Sequence, residues 1–282
     1  MLRNVKEIVD AHLEGKTLTS HFRKSCGLAS AAGSWIDFTM TSGNPPGNFY
    51  ASTPLIAQRL DPWSGFFAGA PQPSYEKYIT DIMLMTPSSG LLGAWKLCDF
   101  LLYYPFIDLD DIDVQTMNNS IELDRYTDGI GVHALLVAQS PTTGGGTFRF
   151  TYINQDGVEK TSPTQICSSS STNYGTCINS LAATTAAGPW LKLADNDSGI
   201  RRITSFTNLV ANGGLGVLVL IKPLLSLVLT EINRPTEKSY IINSPLLPRV
   251  YDNAFLGYIM SCQASVAASL LTGRINFILK GV

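Results

Sequence analysis

Beyond Gly15 the chain is a succession of short apolar runs, each stopped by proline, glycine or asparagine, and that punctuation confines it to a β architecture. YEKYITDIMLMTP (Tyr75 to Pro87) and AWKLCDFLLYYPFID (Ala94 to Asp108) are β-prone and separated by the turn-like SSGLLG. VHALLVAQ (Val132 to Gln139) is a further strand. In TFRFTYINQDGVEKTSPTQI the alternation of Phe148, Phe150 and Tyr152 runs into Asn154-Gln155-Asp156-Gly157, which predicts a hairpin. WLKLA, GIRRITSFTNLV and GVLVLIKPLLSLVL continue the series, and AFLGYIMSC with SLLTGRINFILK reads as a final pair. SWIDFTM (Ser34 to Met40) alternates as a strand would. The reading is mainly β, a β-sandwich of jelly-roll or Greek-key type.

One short helix precedes it. Asn4 with Glu7 has the spacing of a capping box, and Val5, Ile8, Val9 and His12/Leu13 follow at the spacing of one helical face. Gly15 is the expected stop. So short a helix needs a partner surface to be stable. The division expected is residues 1–30 as an N-terminal helix and arm, then 31–282 as a single β-sandwich domain with long loops.

The longest of those loops is TSGNPPGNFYASTP and its continuation to Pro73, rich in turn formers and carrying Phe49, Tyr50, Trp63, Phe66 and Phe67. Large aromatics on irregular backbone are either docking residues or plugs for one end of the protein's own core. Interaction candidates are therefore Val5, Ile8 and Val9 of the helix and those five aromatics.

Composition narrows the function. Charged residues make up 15% and apolar ones 45%, with a formal net charge of −2, a balance suited to burial against other subunits. Nucleic acid is an unexpected partner, because no basic face is legible; the doublet Arg201-Arg202 sits inside a strand pattern. No membrane span is expected, since the longest apolar run, Leu215 to Leu229, is short and broken by Lys222-Pro223. The N-terminus lacks the apolar run of a signal peptide, so the sequons at Asn118 and Asn196 read as chance matches.

Chemistry is sparse. PFIDLDDIDVQTM gathers Asp108, Asp110, Asp111 and Asp113, but counting from Asp108 the sixth residue is Asp113 and the twelfth Asn119, where a calcium loop needs Gly and Glu. A looser cation site at Asp108 and Asp110 stands as the alternative to a solvated loop, in which water screens the carboxylates at no structural cost. His12, His21 and His133 are the only histidines, and neither a nucleophile elbow, a zinc-protease helix nor a phosphate loop occurs. No catalytic residue, cofactor or metal is expected. The five cysteines include no C-x-x-C pair. Cys167 and Cys177 flank the turn-like SSSSTNYGT and could join across a hairpin; two reduced, half-buried thiols are the plainer reading.

Several phrases carry a resemblance. SWIDFTM followed by SGNPPGNFYASTPL, then MLMTP, CDFLLYYPFID, D-x-Q-T-M-x-N, L-x-RYTDGIGV, TFRFTYINQDG and SPLLPRVYD resemble a class of tailed-bacteriophage virion proteins, from about Trp35 to about Tyr251. The resemblance implies a structural component of the virion, a capsid decoration or cement protein assembled in the bacterial cytoplasm. Its partners would be the major capsid protein or other virion proteins, and it would form a homo-oligomer, a trimer in the usual case. It brings no catalytic residues. A tail, collar or fibre-base role shares these features. A carbohydrate-binding β-protein engaging the host surface through Trp63 and Tyr50 is the alternative from a different class.

Overall fold

The computed structural model describes residues 5–27, 32–169, 172–180, 188–243, 246–264, 266 and 269–281. Helix α1 spans Val5–Leu13, and the first strands are β1 (Thr17–Cys26), β2 (Trp35–Asp37), β3 (Ser42–Asn44), β4 (Tyr75–Met85) and β5 (Gly93–Asp108). There follow β6 (Gln115–Thr116), β7 (His133–Ala138), β8 (Thr147–Asn154), β9 (Glu159–Thr161), β10 (Gln165–Ile166) and β11 (Ile200–Val210). The last are β12 (Leu215–Leu229), β13 (Thr236–Ser239), a short helix α2 (Tyr240–Asn243), β14 (Arg249–Val250), β15 (Phe255–Ser261) and β16 (Ser269–Gly281).

The strands form three antiparallel sheets, and the expected β-sandwich character holds. The first has the order β13-β4-β16-β1-β3 with β14 also on β4, the second β2-β15-β5-β12-β7, and the third β10-β8-β11-β6 with β9 on β8. The second sheet is shared between the other two. On one face of β5, Trp95 and Leu97 belong to a core built with Phe22, Ile79, Ile82, Ile275 and Phe277 of the first sheet. Further along the same face Leu101 joins a second core with Phe148, Phe150, Tyr152, Ile203 and Phe206 of the third sheet. Between the two, at the seam, that face carries Asp99, which is buried against Arg125. The opposite face, with Cys98, Phe100, Val217, Val219 and Ile259, is covered by Met40, Tyr50, Leu60 and Trp190 from loops.

Local sequence explains most elements. Gly15 takes φ +68°, a left-handed turn that glycine adopts without steric cost, and ends α1. The hairpin at Asn154–Gly157 forms, with β8 and β9 pairing from Thr151↔Thr161 to Ile153↔Glu159. Pro223 lies within β12: β7 pairs only as far as Ile221, and beyond it no strand among the described residues pairs with that edge, which tolerates a residue without an N–H.

Several expectations are corrected. SWIDFTM is a strand only to Asp37; its carboxylate accepts from the Thr39 N–H at 2.9 Å and caps a 3-10 turn over Phe38–Met40. AFLGYIMSC and SLLTGRINFILK are not a pair, since β15 lies against β5 and β2 while β16 lies between β1 and β4. WLKLA is irregular. The buried side of α1 is Ala11 with Ile8, against Tyr78 and Ile278, leaving Val9 exposed. Asn4 and the side chain of Val5 lie outside the described residues. Thr17–Cys26, read with the arm from sequence, pairs along its whole length with β16.

Candidate docking surface

The long loop between β3 and β4 displays three aromatic rings and buries two. Trp63 is 59% exposed, Phe49 53% and Phe67 44%. Tyr50 and Phe66 are buried, so neither presents its ring to a partner in this structure, and the expectation for these two is corrected. The pairs alternate by design of the chain: Tyr50 is an anchor beside Phe49, and Phe66 an anchor beside Phe67. Phe66 packs with Phe22 and Tyr258 at ring distances of 4.5 and 5.0 Å, and its N–H donates to the Leu256 carbonyl at 2.9 Å. Gly65 makes that approach feasible, because a Cβ there would lie 2.9 Å from the same carbonyl oxygen. Trp63 sits on a 3-10 turn capped by Asp61, with its ring 5.5 Å from that of Phe67.

The Tyr50 anchor is polar. Its hydroxyl donates to Asp37 Oδ2, and Thr39 Oγ1 donates to Asp37 Oδ1 at 2.7 Å. Asp37 is fully buried; desolvation raises its carboxyl above the usual range, and the Tyr50 and Thr39 donors partly offset this. Tyr50 has a left-handed backbone at φ +54°, a strained conformation that its buried bond to Asp37 helps to hold.

Two buried lysines tie down both ends of the loop. Lys24 of β1 donates from Nζ to the carbonyls of Thr41 (2.6 Å), Pro45 (2.9 Å) and Pro46 (3.3 Å). Lys77 of β4 donates to the carbonyls of Ala70 (2.9 Å) and Gly69 (3.3 Å), with Asp252 Oδ1 2.8 Å away. Charge-assisted bonds of this kind are about twice as strong as neutral ones. In the middle, Gln58 exchanges backbone hydrogen bonds with Tyr103 of β5 at 3.0 and 2.9 Å. The loop is thus a rigid shelf rather than a flap. Sequence reading missed both lysines, although a signal exists: Lys24 shares the inward phase of Phe22 and Cys26 in β1, where a charge must find partners.

The Asp-rich stretch leaves the end of β5 with its four carboxylates exposed. Asp108 and Asp111 cap their own turns, accepting from the N–H groups of Asp110 and Asp113 at 2.9 Å each. Among the described residues no three His, Cys, Asp or Glu side chains are grouped to hold a metal.

The remaining candidates are structural. His133 stacks on Trp190 at 4.7 Å, and burial, with Lys222 and Lys96 nearby, holds its imidazolium below the usual range. Cys167 and Cys177 are free thiols, although their neighbours touch, the Ser168 N–H donating to the Ile178 carbonyl at 2.8 Å. Each belongs to a different core, one on either face of the shared sheet, so the disulfide geometry is missing. Burial pushes the Cys167 thiol up to about 12 and Cys177 well above its ordinary value.

The fold defines a mainly β protein of packed antiparallel sheets with a short N-terminal helix. No protein-family model matches the chain, and no curated protein does. Among solved structures it is similar to the VP2 subviral particle of infectious bursal disease virus, at 10% identity and TM-score 0.19, over 94% of this chain and 81% of that one. It is similar also to T=1 particles derived from that virus, at 11% identity and TM-score 0.19, over 94% and 78% of the two chains. Likeness at that level carries no argument about fold or activity.

Proposed function

We propose that the chain is a non-catalytic structural component of a tailed-bacteriophage virion, a decoration or cement protein that binds the head lattice as a homotrimer. The observation that carries this reading is the exposed pair of rings Trp63 and Phe67, 5.5 Å apart on a loop that buried lysines hold at both ends. Exposed aromatic area on a preorganised loop is what a protein needs to dock repeatedly on a lattice, because little ordering entropy is lost on binding. The phrases that resemble virion proteins support the same reading, and two of them, CDFLLYYPFID and RYTDGIGV, meet at the seam through Asp99 and Arg125. The partner would be the major capsid protein.

Copy number per purified particle tests it. Hundreds of copies, with saturable binding to bare capsids that Trp63→Ala/Phe67→Ala abolishes, is the expected result. About six or twelve copies would place the protein at the neck or tail instead. Binding to host polysaccharide without binding to capsids would favour the carbohydrate reading, which now rests on Trp63 and Phe67 because Tyr50 is buried.

A further inference from the structure

Two surface features on different parts of the molecule fit one another. The first is an apolar tip beyond the end of β5. Ile112 and Val114 are each 64% exposed, and Leu209 and Val210 at the end of β11 are exposed too. They share one end of the third sheet, because Asn208 Nδ2 donates to the carbonyls of Asp111 (2.7 Å) and Asp108 (3.0 Å), and β6 pairs with β11 at Phe206↔Gln115. The tip is also fixed from below: Gln115 Oε1 accepts from the Asp108 N–H at 2.9 Å, and its Nε2 donates to the Asp108 carbonyl at 2.6 Å. A held loop that keeps aliphatic side chains in water is a surface shaped for burial elsewhere. Asp110, Asp111 and Asp113 alternate with those side chains, so whatever covers the tip must offer both apolar area and positive charge.

The second feature offers both. At the seam of the shared sheet lies a cleft of about 310 Å³, lined by Tyr126, Lys222, Tyr240, Leu246, Arg249 and Tyr251 together with other apolar side chains. Lys222 Nζ sits 5.4 Å from the centre of the Tyr126 ring and the Arg249 guanidinium 4.7 Å from that of Tyr251. The two rings meet edge to face at 5.2 Å. Lys222 also donates to the Ile130 carbonyl at 2.6 Å, and Arg249 lies 3.0 Å from Glu76, but no carboxylate lines the cleft among the described residues.

We infer that the 109–114 tip of one copy of this chain seats in the Tyr126–Lys222–Arg249–Tyr251 cleft of a second copy. Ile112 and Val114 would meet the aromatic and aliphatic walls, and the flanking aspartates the two cations. The contact cannot form within one chain. Lys222 pairs with Asp99, and from there to Asp108 β5 runs for about 30 Å at the rise of a strand. A contact between two different patches is made reciprocally in a two-fold pair and closes into a ring of three when each copy is rotated by 120°. An acidic saccharide would satisfy Lys222 and Arg249 but would leave Ile112 and Val114 in water, which is why a second copy is the better occupant.

The inference takes from the proposed function only that copies associate, and its test is independent of capsid binding. Sedimentation velocity over a range of concentrations compares the wild type with Asp111→Lys/Asp113→Lys, with Lys222→Glu/Arg249→Glu, and with a variant carrying all four changes. The wild type should self-associate, each pair of reversals should weaken association at least tenfold, and the fourfold variant should regain it. Ile112→Ser/Val114→Ser and Arg249→Ala probe the same contact from each side where a reversal disturbs folding, judged by circular dichroism. Trp63→Ala/Phe67→Ala, which disables the shelf, should self-associate as the wild type does. A wild type that stays monomeric overturns the inference, as does association that none of these tip and cleft changes weakens, or a folded fourfold variant that fails to regain it. Binding of polygalacturonate by a monomeric wild type would hand the cleft to a saccharide.

Discussion

Arg125 grips Asp99 with two prongs, Nε donating to Oδ2 at 2.7 Å and Nη2 to Oδ1 at 2.6 Å, with both side chains buried. Nη2 also donates to the Phe100 carbonyl at 2.9 Å, and Nη1 to Asp124, whose other oxygen accepts from Asn253. Burial raises the Asp99 carboxyl above the usual range, and the Arg125 fork, which favours the ionised form, offsets part of that. The pair joins the shared sheet to the segment that crosses the seam.

Removing one partner leaves the other charged and unpaired in the interior. Arg125→Met should therefore lower the unfolding free energy by about 3–5 kcal/mol, and Asp99→Leu/Arg125→Met should lower it by less than Arg125→Met does. Urea unfolding of Arg125→Met and the double variant measures the difference. Equal losses in Arg125→Met and the double variant would refute the desolvation argument.

Lys24→Met keeps the length of the side chain and removes the clamp on the proline turn. Backbone amides between Thr41 and Tyr50 should exchange with deuterium faster than in the wild type, while those of β5 and β12 keep their protection. Uniform acceleration across the protein would mean the lysine serves global stability instead.

The same residue predicts a pH dependence. Burial pushes the Lys24 ammonium down to about 8 from 10.5. The folded state then binds fewer protons than the unfolded state between those values, so this group's contribution to stability rises with pH across that window. Urea midpoints of the wild type minus those of Lys24→Met should climb from pH 8 to pH 10.5. A flat difference would show that the three carbonyls hold the ammonium at its ordinary value.

Tyr50→Phe deletes the donor to a buried carboxylate and should cost about 1–3 kcal/mol. The Asp37 carboxyl, already raised, would rise further, and a raised carboxyl loses stability as pH increases through its folded value. The penalty measured at pH 7 should therefore exceed that at pH 4.

Native protein at pH 8 should take up no iodoacetamide at Cys167 or Cys177, and unfolded protein should label at all five cysteines without prior reduction. Mass spectrometry reads both states. A pair of cysteines that labels only after reduction would contradict the thiols assigned to this structure.

Much of the fold was legible because a half-buried strand writes its period into the sequence. β4, β5, β7 and the β8–β9 hairpin fall within a residue or two of their apolar runs, and Gly15 ends the helix where expected. Pairing was not legible: β15 and β16 adjoin in sequence yet join different sheets, a choice made by long-range packing that no local pattern records. β1 was hidden because TLTSHFRKSC places serine, phenylalanine, lysine and cysteine on its inward side, and only Lys24's tertiary partners make that acceptable. The docking loop was visible as a cluster of aromatics but not as anchors and displayed rings, since irregular backbone has no period to separate Tyr50 from Phe49 or Phe66 from Phe67.

The long ladder between β5 and β12, paired from Asp108↔Leu215 to Gly93↔Leu229, also fixes how the molecule bears force. One sandwich is anchored at each end of that ladder, so tension applied across the two runs along the strands. β5 runs from β4 of the first sheet toward β6 of the third, and β12 runs back from β11 to β13, so two covalent backbones share the load side by side, whereas strands peeled from an edge yield their hydrogen bonds one at a time. The protein is in that respect a tie bar, stiffest along the axis of its shared sheet, and pulling it from points on the first and third sheets should require more force than unzipping either from its own edge.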